Sequence, residues 1–255
     1  MSRPSILPTD RTVYDTELLK SLLGTRLARQ LQVLCVIGAH RFDELPLIDR
    51  IFPSLRRIYL FEPQPAPLQV LRDLAARDAR ITVFPVAVSD ADGTARFHVA
   101  SNSGESSSLL ALGSHRELFP EVTIDRVVEV PTRRLDSVLR EHQLPAPDLL
   151  LIDVQGAEHL VLKSLPPSLL QGVRLIYTEV STEAVYESAG LMKDVEALLV
   201  PRFVNVGFAA IRPGVPVHGN AVFVAQDDVP AVVSLSLPER LRRAFHRLRR
   251  RLRGR

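Results

Sequence analysis

A single cysteine, Cys35, stands among 255 residues. That excludes an internal disulfide and any cysteine-built metal cluster. No apolar run approaches the ~20 residues that span a bilayer. The first residues, MSRPSILPTDRTVYDTE, lack the apolar core of a signal peptide. A cytoplasmic location is the expectation that follows. No long polar linker and no internal repeat divides the chain, so one α/β domain is expected rather than two small ones. There is no Gly-rich phosphate loop, no nucleophile elbow and no zinc-ligand spacing, and no metal site is expected. Lysine is scarce, at three against 29 arginines, which reads as genome bias.

Charge is unevenly placed. Glu239–Arg255 holds nine arginines and one glutamate, a net +8; since the whole chain is +3, the remainder carries −5. Within that tail Leu241, Ala244, Phe245, Leu248 and Leu252 recur at helical spacing, with arginines on the other faces. This is the pattern of an interfacial helix on an anionic membrane surface. A solvated tail and a nucleic-acid arm are the other readings. The expected division is an N-terminal arm and helix over 1–30, a main domain over 31–226, and a linker with basic amphipathic helix over 227–255.

What is present centres on Asp148–Lys163, DLLLIDVQGAEHLVLK. Leu149–Ile152 is wholly apolar, as a strand buried on both faces of a parallel sheet must be. Asp153 ends it, where open α/β sheets bind ligands; a helix cap is the alternative role. Gly156 supplies a turn. Ala157, Leu160, Val161 and Leu165 then recur at helical spacing, until Pro166-Pro167 stops the helix. Glu158 falls in its first turn, where compensation of the helix dipole is the plainer reading.

Along the rest of the chain, Tyr14–Arg29 predicts a helix and Leu31–Ile37 a buried strand followed by the turn Gly38-Ala39-His40. A weak helix over Asp43–Arg50 leads to a strand, Arg57–Phe61, that ends in Glu62-Pro63. A helical stripe (Leu68, Leu71, Leu74, Ala75) precedes a third strand, Ile81–Val88. Thr94–Ala100 and Arg126–Thr132 pattern as hairpin partners, and the Ser/Gly-rich stretch between them reads as a mobile surface loop. Helices at Leu135–His142 and Leu191–Leu199 alternate with strands at Val173–Val180, Arg202–Val206 and Asn220–Val224. Such alternation argues a doubly wound α/β sandwich. Two strands end in Glu62 and Asp153, and a third carries Glu179, so three carboxylates lie along one sheet edge.

Four strings in order, FEPQP, PVAVSDADG, LLLIDVQGAEHLVLKSL and YTEVSTEAVYE, resemble the FkbM-type S-adenosylmethionine-dependent methyltransferases. FVNVGFAAIRP and NAVFV are similar to that family's closing hairpin, so the resemblance spans Leu31–Ala225. It implies a Rossmann-like, seven-stranded, mostly parallel methyltransferase sheet with its last strand antiparallel, flanked by helices. It implies S-adenosylmethionine held by Gly38, Ala39 and His40 after the first strand, with Glu62 accepting from the ribose hydroxyls. An exposed turn acid is the plain alternative for Glu62. The resemblance also places Ala87 beside the adenine and Asp153 at the border of the methyl-transfer site. The implied reaction is O-methylation of a sugar, glycolipid or related natural product, and such an acceptor makes a peripheral place at the inner membrane surface natural for the tail. Asp153, with Glu158 and Glu179 behind it, is the candidate group to orient the hydroxyl and take its proton.

The chain departs from the family's usual DVGAN loop. Val36 replaces the aspartate, His40 the asparagine, and Phe42 the second glycine, with Arg41 beside it. These changes support a second reading, a catalytically impaired protein of the same fold that binds a glycan or serves as an assembly factor. His98, His115, His142, His159 and His218 show no metal-ligand spacing and read as surface residues.

Overall fold

The computed structural model describes residues 16–212 and 215–233. The expected arm, and the amphipathic tail Glu239–Arg255 with its membrane or nucleic-acid partner, lie outside the described residues. The chain opens with α1 (Thr16–Lys20), β1 (Val33–Ile37), α2 (Leu45–Ile51), β2 (Arg57–Phe61) and α3 (Pro65–Ala75). It continues through β3 (Ile81–Phe84), β4 (Ala87–Val88), β5 (Gly93–Ala100), α4 (His115–Leu118), β6 (Ile124–Arg133) and α5 (Leu135–Glu141). Then come β7 (Leu149–Ile152), α6 (Glu158–Lys163), α7 (Pro167–Leu170), β8 (Leu175–Ser181), α8 (Met192–Leu199), β9 (Phe203–Arg212), β10 (Val215–Ala225) and α9 (Val229–Val233).

Seven strands form one sheet in the order β3-β2-β1-β7-β8-β10-β9. Pairing is parallel from β3 through β8, and β10 runs antiparallel to both β8 and β9. The last strand is therefore reversed, as expected. Alternation along each strand divides the core in two. Leu34, Val36, Leu149, Leu151 and Tyr177 point to one face and meet Leu19, Ile48 and Leu71 from α1, α2 and α3. Cys35, Ile37, Leu150, Ile152 and Ile176 point to the other and meet Val138, Val161 and Val195 from α5, α6 and α8. Strands covered on both sides are apolar at every position, so LLLI of β7 is buried throughout.

Helices change faces between β1 and β7. Those two strands pair directly, with Ile37 beside Ile152. A doubly wound sheet opens a crevice beyond its carboxyl edge at such a switch point, and here the residues beyond that edge are Gly38 and Asp153.

Local departures from the sequence pattern have local causes. Pro85 splits the expected Ile81–Val88 strand, because it has no N–H for the ladder. Ala87 and Val88 pair instead with β6 in a small second sheet, ordered β4-β6-β5. The helix expected over Tyr14–Arg29 keeps only α1 among the described residues; the chain turns away at Gly24, whose φ is +77°. Pro46 does not interrupt α2 but sits in its first turn, where its missing N–H costs nothing.

Candidate active site

Gly38 leaves β1 at φ +82°, where a Cβ would lie 1.8 Å from the Asp153 carbonyl oxygen. Only glycine permits the two strand ends to come this close. The Gly38 and Ala39 N–H groups both donate to the Phe61 carbonyl at 3.0 Å. The Ala39 side chain packs in the core, whereas Gly38 and His40 line the cleft. The next N–H, of His40, donates to Glu62 Oε2 at 2.8 Å, and the Gln64 N–H donates to Oε1 at 2.8 Å. Glu62 is buried, not an exposed turn acid. Burial pushes its carboxyl above the usual range, and the backbone bonds from Gln64 and His40 hold it back. Each oxygen keeps a second lone pair for a ligand hydroxyl.

The cleft beside Glu62 is open to solvent, and its empty space, mouth included, is about 570 Å³. Its apolar end is built from Val86, Ala87, Val88 and Phe97, and Asp153, Val154 and Gln155 stand in its walls as well. The Ser/Gly-rich stretch forms part of the enclosure. His40 Nε2 lies 3.1 Å from the Ser103 carbonyl, and Ser107 Oγ donates to Gln64 Oε1 at 3.2 Å. Ser108 Oγ donates to the Val154 carbonyl at 3.2 Å. Ser106, Ser107 and Ser108 are buried, which corrects the surface-loop expectation. A serine run looks solvated in sequence, but here its hydroxyls find fixed partners.

On the other side of Asp153 the acids gather. Carboxylate oxygens of Asp153, Glu158 and Glu179 lie within 4.8 Å of one another. Glu62 is not among them; it faces the cleft from β2. Gln155 Nε2 donates to Asp153 Oδ1 at 2.6 Å and to Glu179 Oε2 at 2.7 Å. The Tyr186 hydroxyl donates to Gln155 Oε1 and fixes that amide. Glu158 Oε1 accepts from the Val154 and Gly156 N–H groups at 3.0 and 3.2 Å, and so holds the turn that carries Gln155. Glu179 Oε1 lies 3.1 Å from His218 Nε2, and His218 Nδ1 lies 2.8 Å from Ser181 Oγ.

Sequence reasoning missed Gln155, Tyr186, Ser181, His218 and Asn220. His218 and His115 are buried, a correction to their reading as surface residues. The available signal was HGNAVFV: His218 and Asn220 alternate with apolar positions at the mouth of a buried strand, which places both on one face. His98, His142 and His159 are absent from the cleft's walls.

Burial and mutual repulsion raise the carboxyls of Asp153 and Glu158. Asp153 is held well above its ordinary value, by burial first and the Glu179 charge second. The same two causes push Glu158 up to about 7, from 4.5. The folded state therefore keeps the Glu158 proton longer than the unfolded chain does. Its contribution to stability is full below pH 4.5 and is lost as pH rises through about 7. The loss is on the order of 3 kcal/mol, and Asp153 adds to it with the same sign. Urea unfolding of the ligand-free protein should give lower stability at pH 8 than at pH 5. Glu158→Gln, whose amide oxygen still accepts both backbone N–H groups, should flatten that difference. Equal slopes for both proteins would remove Glu158 as the cause.

The strand order, the Gly38 turn against Asp153 and the buried Glu62 define the Rossmann-like methyltransferase class. Residues 37–208 match the methyltransferase FkbM domain, and the chain belongs to that family. The 2-O-methyltransferase NoeI of Sinorhizobium fredii is 34% identical over 147 residues, 54% of this chain and 60% of that protein. The chain thus spans less than two thirds of the curated relative it matches. Among solved structures, methyltransferase FkbM from Methylobacillus flagellatus has a TM-score of 0.49 at 14% identity, over 76% of this chain and 43% of that one. Aeropyrum pernix fibrillarin with natively bound S-adenosyl-L-methionine has a TM-score of 0.46 at 14% identity, over 82% of this chain and 73% of that one.

Proposed function

We propose that this chain moves a methyl group from S-adenosylmethionine to a hydroxyl of a sugar, glycolipid or related natural product. One observation carries the reading. Glu62, at the end of β2, has each carboxylate oxygen fixed by a backbone N–H and faces a cleft whose far wall is apolar. Two adjacent ribose hydroxyls suit that carboxylate, and an adenine suits Val86, Ala87 and Phe97. The Gly38 turn leaves room for close approach beside Asp153. A 2-O-methyltransferase among the relatives supports a hydroxyl acceptor.

Bound there, S-adenosylmethionine supplies a methyl carbon on a sulfonium that an oxygen nucleophile can attack in line. The protein's task is to align that attack and to remove one proton. Asp153 stands in the cleft wall with a carboxyl held above its usual range. Its Oδ2 is buried without a protein partner, and in this reading it is the atom that accepts the hydroxyl proton as the C–O bond forms. Glu179 and Glu158 support it through Gln155 and through the turn.

The altered loop does not favour the impaired-protein reading. Val36 and Phe42 are both buried in the core beneath the first strand. Arg41 is exposed, 3.5 Å from Asp43. Neither Phe42 nor Arg41 lines the cleft.

Calorimetric titration with S-adenosylmethionine tests the assignment, and Glu62→Gln sharpens it. The His40 and Gln64 N–H groups bond to different carboxylate oxygens, and an amide puts an NH₂ in one of those two positions, so one donor loses its partner. Micromolar affinity in the natural protein, falling at least tenfold in the variant, is the expected result. No heat at millimolar cofactor would overturn the reading.

A further inference from the structure

We propose that Asp153, Glu179 and Asn220 form a divalent-cation site beside the cleft, with Glu158 at its edge. The site goes beyond methyl transfer, because its occupancy can be measured with no cofactor or acceptor present.

Four observations converge. Oxygens of Asp153, Glu158 and Glu179 lie within 4.8 Å of one another, the spread of ligands around one ion with metal–oxygen distances of about 2.0–2.6 Å. Asp153 and Glu179 also aim at one point, now taken by Gln155 Nε2, 2.6 and 2.7 Å from the two carboxylates. Three buried acids meet little positive charge. Among the described residues their ionic partner is His218 on Glu179, and no lysine or arginine pairs with them.

The fourth observation is independent of the acids. Asn220 is directly opposite Glu179 in the β8–β10 ladder, so the two side chains share one face. It is completely buried, yet neither Oδ1 nor Nδ2 has a protein partner. Leaving both atoms unmet costs free energy. A cation between the strands gives Oδ1 a role as a neutral ligand. Glu179 Oε2, released from Gln155, can then accept from Nδ2. Gln155 accommodates the ion by turning its amide over, which presents Oε1 to the metal and Nε2 to the Tyr186 oxygen. All the ligands are hard oxygens, which selects Mg²⁺, Mn²⁺ or Ca²⁺ over softer metals. An ion here would also polarise a hydroxyl oxygen entering the cleft near Asp153.

The test is Mn²⁺ binding, read by electron paramagnetic resonance on the full chain after chelation and without cofactor. About one Mn²⁺ per chain at sub-millimolar concentration is expected. Asp153→Asn and Glu179→Gln should each weaken it at least tenfold. Asn220→Asp adds a fourth acid. Its thermal midpoint should fall in chelator and recover with Mn²⁺, while its affinity for the ion rises. No binding at ~10 mM Mn²⁺ overturns the proposal. So does binding that Glu179→Gln leaves unchanged, or an Asn220→Asp midpoint that Mn²⁺ does not restore. Stoichiometric displacement of Mn²⁺ by S-adenosylmethionine would assign the excess acid to the cofactor's own positive charge and would equally overturn the site. A failed cofactor titration leaves this measurement standing, so the two conclusions can fall separately.

Discussion

Gly38→Ala should abolish S-adenosylmethionine binding and lower the melting temperature by roughly 10 °C. The added methyl would stand 1.8 Å from the Asp153 carbonyl oxygen and 2.8 Å from its carbon. Both are backbone atoms, so no side-chain rotation relieves the clash. Alanine at φ +82° carries a further penalty of about 1–2 kcal/mol. The ends of β1 and β7 must therefore separate. That movement pulls on the Gly38 and Ala39 bonds to Phe61, and on the His40 N–H that fixes Glu62. One methyl thus disturbs the Glu62 clamp and the position of Asp153 together. Gly172→Ala is the control, because its Cβ would meet nothing nearer than 3.5 Å. Calorimetry and a melting curve on both variants decide it. Natural-like affinity in Gly38→Ala would mean that the strand ends can part without cost to the cleft.

The parts of this fold that could be read from sequence are those governed by strict periodicity or by special backbone chemistry. Leu149–Ile152 is apolar at every position because helices cover both faces, and its short length and the acid and glycine turn that end it favour a strand over a buried helix. Gly38 and Gly156 announced tight turns, and both have positive φ. Glu62 and Asp153 were legible because a charged residue directly after a buried strand must stand at the sheet edge. The opposite cases are also instructive. Pro85 lies within a run patterned as one strand, and only the tertiary context shows that β4 joins another sheet. Phe42 stands where the family loop has its second glycine, one of the changes behind the impaired-protein reading. Its direction depends on a φ of +52°, which turns the ring into the core, and sequence spacing does not encode that angle. Gln155 also takes positive φ, at 55°, and this aims its amide between two carboxylates that lie on different strands. The Glu179–His218 pair brings together residues 39 positions apart through an antiparallel register. Single-residue odds for a histidine cannot anticipate such a partner.

Asp153→Asn should lower turnover by about 10²- to 10⁴-fold while cofactor affinity and folding persist. The substitution keeps shape and removes the capacity to accept a proton. Gln155 Nε2 donates to Asp153 Oδ1 at 2.6 Å, and an asparagine oxygen can take that bond unchanged. The free position, Oδ2, becomes an NH₂ that can only donate. An acceptor hydroxyl would then meet a donor where it needs a base. The variant also removes one of three acids crowded within 4.8 Å, which relieves repulsion on Glu179 and Glu158. Stability at neutral pH should therefore hold or rise, and this separates a catalytic defect from misfolding. Glu179→Gln supplies the comparison. Glu179 acts on Asp153 through its charge and through the shared Gln155 amide, so its loss should shift the pH dependence of turnover without matching the full drop of Asp153→Asn. The readouts are turnover of a hydroxylated acceptor from pH 6 to 9, S-adenosylmethionine affinity, and urea unfolding of each protein. Natural-like turnover in Asp153→Asn, with a fall confined to Glu179→Gln, would move the proton acceptor from β7 to the Glu179–His218 pair on β8 and β10.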